Sequence, residues 1–191
     1  GKILTAYVPT EGGKARSAGD FRIDGVPGTG AKIRLDWSDA AGGLTGKLLP
    51  TGNARDVISA DGKSYEATLI DAGNPVVFVK ADALGMKGTE CPYEIEHNAS
   101  LMRTIEKIRG QAAVMFGLCG SPEEAAAKSP YNPFFAIVSE PQDYAGPGGV
   151  KVGRDEIDLT SRLLFMLKMH KAYPITGTVT TGAALRIPGS V

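Results

Sequence analysis

The sequence predicts an α+β fold in which a curved, mostly antiparallel sheet wraps around a central helix. Two observations predict it. Short β-type segments far outnumber helical ones, and one long segment is apolar along a full helical face. Hydrophobic residues make up 42% of the 191 residues, so the chain has enough apolar material to bury a core.

The first third of the chain is rich in glycine and predicts short strands joined by tight turns. Residues 2–8 have the composition of a strand, and residues 21–24 alternate briefly between apolar and polar side chains. The longer alternation over residues 32–37 predicts a strand with one wet face and one buried face.

Residues 65–79 predict a pair of buried strands, because β-branched and bulky apolar residues dominate them. Gly73-Asn74-Pro75 interrupts the pair with residues that favour a tight turn. The side chain of Asn74 offers an amide donor and a carbonyl acceptor at this break. Taken alone, the break is more typical of an ordinary turn than of a ligand contact.

The clearest helical pattern comes from five apolar residues spaced in steps of four and three: Leu101, Ile105, Ile108, Ala112 and Met115. Asn98 or Ser100 is suited to cap the start of this helix, and Gly117 or Gly120 to end it. Gly110, inside the helix, is suited to close packing against a neighbour.

The second half of the chain predicts a mixture of elements. Ser121 begins a capping box with proline at the first helical position, so a short helix should run to about residue 129. Residues 134–138 predict a buried strand and residues 156–159 an alternating one. Residues 176–186 predict a helix that begins at a Thr-Gly turn.

Composition and motifs exclude several classes of function. Lys plus Arg equals Asp plus Glu, 21 each, so no nucleic acid or acidic membrane is expected as a partner. Cys91 and Cys119 lie outside any metal-binding spacing, which favours two free thiols over a zinc site, with a disulfide as the alternative. No membrane-spanning run or secretory segment is present, so we expect a cytoplasmic location.

The nucleotide-binding motifs in this chain are incomplete. Its two histidines, His97 and His170, are far apart in the sequence. Gly28-Thr29-Gly30 lacks the third glycine of a dinucleotide fingerprint, and Gly46-Lys47 lacks the rest of a phosphate-binding loop. His97 lies in a polar stretch and should be solvated. His170 follows an apolar run and precedes a Thr-Gly turn, so a core residue and a ligand contact are equally good interpretations.

Four segments occur in an order that resembles a known family: Leu49-Pro50-Thr51-Gly52-Asn53, Asp71-Ala72-Gly73-Asn74-Pro75, the helix ending in Ile108-Arg109, and His170 with Thr176-Gly177. Together they resemble the PrpF, or methylaconitate isomerase, family, whose relatives include methylitaconate and oxalomesaconate isomerases. The resemblance covers nearly the whole chain and is greatest over residues 20–80 and 154–178.

This resemblance implies a diaminopimelate epimerase-like fold, in which two similar halves each wrap a sheet around a helix. On that basis residues 1–60 form the strand-rich end of the first half-domain or a connector, and residues 61–191 form the second half-domain. It also implies an isomerase, without metal or organic cofactor, that shifts a C=C bond in a small di- or tricarboxylate by proton transfer.

The resemblance further implies which residues contact the substrate. Asn74, His170, Thr176 and Gly177 should converge on one concave face, and Thr51, Gly52 and Asn53 should lie near its rim. Arg162 is the candidate for a charge-assisted bond to a carboxylate, although on its strand it is equally placed to pair with Asp155 or Asp158.

The sequence departs from the family in two places. The acid and base of the family, a lysine and the cysteine of a Cys-Gly-Asn motif, have no counterpart here, so no catalytic residue is assigned. We therefore expect an internal or C-terminal part of an isomerase that is inactive alone, with a missing half-domain or a partner polypeptide as its complement. A homodimer is a further candidate assembly. The alternative is a non-catalytic binding or structural domain. Phe165-Met166-Leu167 also replaces the family's Ser-Met-Gly.

Overall fold

The chain forms two units, which a computed structural model describes over residues 2–191, the side chain of residue 147 excepted. The first unit is Gly1–Ala40 and the second is Ala41–Val191. The assignment of residues 1–60 to a first half-domain stays a prediction.

The first unit contains four short strands: β1 (Thr5–Tyr7), β2 (Thr10–Glu11), β3 (Lys14–Ala15) and β4 (Arg34–Asp36). Strand β1 pairs with β4 and β2 with β3, both antiparallel. The strand predicted over residues 21–24 is wrong, since Phe21 forms only an isolated bridge with Gly30. The buried face predicted for residues 32–37 is also wrong. Ile33 and Leu35 are exposed, because a two-stranded ladder leaves its faces open.

The second unit is built on one six-stranded sheet. Its strands are β5 (Asp56–Ala60), β6 (Lys63–Ala72), β7 (Asn74–Lys80), β8 (Phe134–Ser139), β11 (Thr160–Phe165) and β12 (Lys168–Met169). Their spatial order is β12-β11-β8-β7-β6-β5, and every neighbouring pair is antiparallel except β7 and β8. Strands β9 (Tyr144–Ala145) and β10 (Lys151–Val152) form a separate hairpin.

Four α-helices accompany the sheet: α1 (Pro92–Glu96), α2 (Ala99–Met115), α3 (Ala125–Lys128) and α4 (Ile175–Ala184). Helix α2 confirms the predicted long helix. The carboxamide oxygen of Asn98 accepts a hydrogen bond from the backbone N–H of Leu101 at 3.0 Å, which identifies the cap. Gly117, with a φ of 73°, follows the last turn.

Helix α2 covers one face of the sheet. Ile105, Ile108 and Ala112 are fully buried there and pack with sheet residues such as Leu69 and Phe135; we call this apolar group the first core cluster. The close packing expected at Gly110 is confirmed, because a Cβ at this position would lie 2.8 Å from the carbonyl oxygen of Pro122.

Helix α4 lies on the opposite face, a second layer that the sequence did not predict. Ile70, Val76, Phe78 and Leu163 form, together with Ala184 of α4, what we call the second core cluster. A sheet that is covered on both faces explains why strands β6 and β7 read as continuous apolar runs. Helices and a mixed, mostly antiparallel sheet make this an α+β fold, as predicted.

Two local predictions are corrected. The side chain of Ser121 makes no capping bond, and a 3₁₀ turn over Pro122–Glu124 precedes α3. The strand predicted over residues 156–159 is wrong. The backbone N–H of Glu156 donates to the carbonyl oxygen of Gly153 at 3.0 Å and closes a 3₁₀ turn, and the Glu156 carboxylate accepts from the backbone N–H of Gly153 at 2.7 Å. Strand β11 therefore begins only at Thr160.

Candidate functional site

The turn between β6 and β7 lies against the first turn of α4. Gly73 has a φ of 106°, and a Cβ there would lie 3.2 Å from the carbonyl oxygen of Thr176. The Thr180 hydroxyl is 2.7 Å from the carbonyl oxygen of Ala72 and 2.9 Å from that of Asn74. Only glycine suits both this backbone angle and this approach, so the sequence places the turn and α4 in direct contact.

Among the residues that the structure describes, no side chain caps the first turn of α4, so its backbone N–H groups lack a capping acceptor. Pro174 stands at the cap and supplies no side-chain acceptor. A Cβ at Gly177 would lie 2.9 Å from Cδ1 of Leu163, so glycine allows this turn to approach β11 closely. Free N–H groups and the helix dipole make such an N-terminus locally positive, which favours an anionic group.

Asn74 and His170 lie on the same face of the sheet as α4. Asn74 pairs with Ala72, a member of the second core cluster, and its amide donates to Oδ1 of Asn132 at 3.0 Å. The backbone N–H of His170 donates to the carbonyl oxygen of Leu163 at 2.8 Å, which places His170 opposite Leu163. Directly opposed residues share a face of a sheet. The structure therefore brings both residues to the α4 side, where Thr176 and Gly177 also lie; a role in binding stays a prediction.

Thr51, Gly52 and Asn53 are not brought to this place. The hydroxyl of Thr51 and the amide of Asn53 donate to the two carboxylate oxygens of Asp56, at 2.7 and 2.8 Å. Asp56 begins β5 beside Ala67, which pairs with Val79 near the end of β7 that is remote from Asn74. Their polar groups close a local turn.

Arg162 also lies elsewhere. It stands opposite Ile137, a member of the first core cluster, and is therefore on the α2 side of the sheet. Its Nε donates to the carbonyl oxygen of Glu90 at 2.8 Å, and its guanidinium lies 4.9 Å from the ring centroid of Tyr144. Burial lowers the pKa of Arg162. Among the described residues, neither Asp155 nor Asp158 forms an ion pair with Arg162.

Asp71 belongs to the segment quoted for the resemblance, but the sequence assigned it no role, and it lies beside the Gly73 turn. Its Oδ2 accepts hydrogen bonds from the backbone N–H groups of Leu44 (2.8 Å) and Thr45 (2.7 Å) and from the Thr45 hydroxyl (2.9 Å). Its Oδ1 is buried and has no partner in the described part of the chain. Asp71 therefore fixes the loop around residues 42–47 two positions before the Gly73 turn.

A chain of hydroxyl groups joins α4 to β11. The phenol oxygen of Tyr173 lies 2.9 Å from Oγ of Ser161 and 2.9 Å from Oγ1 of Thr181. Burial raises the pKa of Tyr173, and these two hydrogen bonds act in the opposite direction more weakly. Nothing in the sequence pattern links these three positions.

We expect Tyr173→Phe to lower the free energy of unfolding by about 1 kcal/mol, the usual net value of a buried hydrogen bond. Folding raises the Tyr173 pKa. The stability that the phenol contributes is therefore fully present below the unfolded pKa of about 10. It is lost as the pH rises through the folded pKa. The variant should lack this loss. Urea unfolding at neutral pH and above pH ~10 measures both effects. Identical alkaline profiles for the two proteins would contradict the assignment.

A cavity of about 370 Å³ lies where the parallel strands β7 and β8 end. Phe78 and Val138 form part of its wall, and Lys80 and Glu140 stand among its charged lining residues. None of the eight predicted substrate contacts lines it. The cavity and the first turn of α4 are therefore separate candidate sites, and only the latter gathers predicted residues.

The part of the chain that the structure describes, residues 2–191, contains no grouping of three or more His, Cys, Asp or Glu side chains suited to hold a metal ion. None of its helices combines the length and the apolar character needed to cross a membrane. Cys91 and Cys119 are both free, as predicted.

Comparison with known proteins gives a consistent result. The family model described as PrpF protein matches residues 1–191. The chain is 45% identical to 3-methylitaconate isomerase of Eubacterium barkeri over 192 residues, which is 100% of this chain and 50% of that protein. It is 35% identical to 2-methyl-aconitate isomerase of Shewanella oneidensis, covering 49% of that protein.

A crystal structure of methylitaconate-delta-isomerase superposes on the chain with a TM-score of 0.94 at 45% identity. The match covers 100% of this chain and 50% of that one. The chain thus spans about half the length of the curated relatives it matches.

Proposed function

Because the chain belongs to the PrpF family, we propose that it is part of an isomerase that shifts a C=C bond in a small di- or tricarboxylate. Relatives named for methylitaconate and 2-methyl-aconitate support this proposal. The epimerase-like arrangement, with the sheet curved around α2 and the substrate held between two half-domains, belongs to the same proposal, as does a reaction that needs no metal or organic cofactor.

The contact between the Gly73-Asn74 turn and the first turn of α4 carries the proposal. There a Cβ at Gly73 would lie 3.2 Å from the carbonyl oxygen of Thr176, and the Thr180 hydroxyl donates to the backbone carbonyl oxygen of Asn74 at 2.9 Å. We infer from this contact that the Asn74 amide and the N–H groups of residues 176 and 177 act together as donors. Such donors hold a carboxylate without a metal, because fixed N–H dipoles and the positive end of a helix replace its hydration shell.

The same donors suit the proposed chemistry. Removal of a proton from the carbon next to the C=C bond leaves an allylic anion, whose charge spreads onto the adjacent carboxylate. Return of a proton at the far end of the allyl system completes the shift. Donors fixed before the reaction lower its barrier by stabilising the charge as it develops. His170, on the same face, adds a donor. Neither proton transfer is assigned to a residue of this chain.

We expect Asn74→Ala to weaken carboxylate binding about 10- to 100-fold, since a hydrogen bond to a charged group contributes about 1.5–3 kcal/mol. Titration of ¹⁵N-labelled protein with trans-aconitate, followed by NMR, should shift the Asn74 amide, the His170 ring and the Gly177 backbone signals together.

Thr51→Ala is the matched control, because Thr51 already bonds to Asp56 and lies at the remote end of the sheet. Its affinity should equal that of the wild type. Shifts confined to residues 51–53, or an unchanged affinity for Asn74→Ala, would refute the proposed site. Binding without turnover, even with the complementary half of a relative present, would favour the non-catalytic alternative.

A further inference from the structure

Arg109 of α2 is a buried charge that binds the loop before β8. Its side chain is 5% exposed, and its Nε and Nη2 donate to the two carboxylate oxygens of Glu106 at 3.2 and 3.0 Å. Its Nη1 donates to the carbonyl oxygens of Ser129 at 3.0 Å and Asn132 at 3.2 Å. A guanidinium is planar and rigid, so the pair with Glu106 fixes the direction in which Nη1 points. Arg109 thereby holds the main chain of residues 129–132 against α2.

The carbonyl oxygen of Asn132 accepts a second hydrogen bond. It comes from the hydroxyl of Ser129, at 2.8 Å. A carbonyl oxygen has two lone pairs, and the two donors occupy both of them. The position of the Asn132 backbone is therefore set from two sides, and its side chain extends from a fixed point.

The register of the sheet places this side chain beside Asn74. Strands β7 and β8 are parallel, with Val76 opposite Phe134. Each asparagine stands two residues before a member of this pair, so the two lie side by side where both strands begin. Nδ2 of Asn74 donates to Oδ1 of Asn132 at 3.0 Å. This hydrogen bond orients the Asn74 amide, whose nitrogen carries a second N–H.

We propose that Arg109 is a positioning residue for the carboxylate site. Through the backbone of Asn132 it holds the Asn74 amide in the direction in which the second N–H meets the substrate carboxylate. An amide that is oriented before binding loses less rotational freedom when the ligand arrives, which strengthens binding. Arg109 itself does not touch the substrate. The inference rests on the proposed function, because it takes the contact between Asn74 and a carboxylate as given.

The side-chain amide signal of Asn74 gives a readout in the ligand-free protein. In ¹⁵N-labelled protein the hydrogen bond to Asn132 should move one of the two amide protons to lower field, and Asn132→Ala should return it to the position of a solvated amide. Arg109→Lys keeps the charge and loses the planar fork, so it should move the signal in the same direction as Asn132→Ala. Arg103→Lys is the matched control, the same substitution at an exposed position of α2, and should leave the signal in place.

Affinity for trans-aconitate, measured by calorimetry, separates positioning from a general structural role. Arg109→Lys should weaken binding about 3- to 10-fold, the loss expected for one hydrogen bond. In the Asn132→Ala background the same substitution should change the affinity by less than about twofold, because the link to Asn74 is already broken. A purely structural role would weaken binding by the same factor in both backgrounds.

Glu106→Gln provides a second variant in case Arg109→Lys does not fold. It removes the charged acceptor that aligns the guanidinium, at a side chain that is 30% exposed. It should shift the Asn74 signal in the same direction. An Asn74 signal that keeps its wild-type position in whichever of these variants folds, or affinity losses that are independent of Asn132, would overturn the role of Arg109 and leave the carboxylate site in place. Failure of the wild type to bind trans-aconitate would overturn the proposed function, and this inference with it.

Discussion

Ile105→Ala should lower the free energy of unfolding by about 3–4 kcal/mol, within the range for buried aliphatic truncations. The side chain is 0% exposed and lies between α2 and the sheet in the first core cluster. Its removal leaves a cavity that close-packed neighbours fill only in part. Urea unfolding followed by circular dichroism at 25 °C measures the loss.

Gln111→Ala is the matched control on the same helix. Gln111 is exposed, and alanine is at least as good a helix former, so stability should change by no more than about 0.5 kcal/mol. A loss below about 0.5 kcal/mol for Ile105→Ala as well would show that this face of α2 does not contribute a packed core.

Asp71→Ala should lower the free energy of unfolding by about 3 kcal/mol, because it removes the acceptor of three hydrogen bonds and leaves partly buried N–H groups unpaired. Hydrogen exchange gives a local readout: the amides of Leu44 and Thr45 should lose protection while those of α2 keep theirs under native conditions.

Asp71→Asn is the graded comparison. The carboxamide oxygen of asparagine can take over the role of Oδ2. The free energy of unfolding should therefore fall less in Asp71→Asn than in Asp71→Ala. Full protection of the Leu44 and Thr45 amides in Asp71→Ala would show that this carboxylate does not hold the loop.

The long elements could be predicted because their patterns extend over many residues. Five apolar positions along one face specify α2. Residues 156–159 have the alternation of a strand, but two hydrogen bonds between Gly153 and Glu156 hold residues 153–156 in a turn instead. Residues 32–37 alternate as well, but Ile33 and Leu35 stay exposed on a ladder of only two short strands.

The site was predictable only in part, because its contacts join distant segments. Gly73 is read correctly as a turn position from its residue type, whereas the close approach of Gly177 to Leu163 has no signal in the sequence. The partners of Arg162 and Asp71 have no such signal: Glu90 is 72 positions from Arg162, and Thr45 is 26 positions from Asp71. The hydrogen bonds of Tyr173 to Ser161 and Thr181 likewise could not be predicted, because they depend on how α4 packs on the sheet.

The parallel pairing of β7 with β8 bears on the order in which the chain folds. Strands β5, β6 and β7 are sequential hairpins and can form within about 1–10 μs. Strand β8 can join β7 only after the intervening residues 81–133 have closed a long loop, which makes this step slow. During synthesis the edge of β7, with its run Val76–Val79, would stay unpaired until residue 139 has left the ribosome. A nascent chain therefore carries an aggregation-prone edge at that stage, and chaperone binding there would protect it.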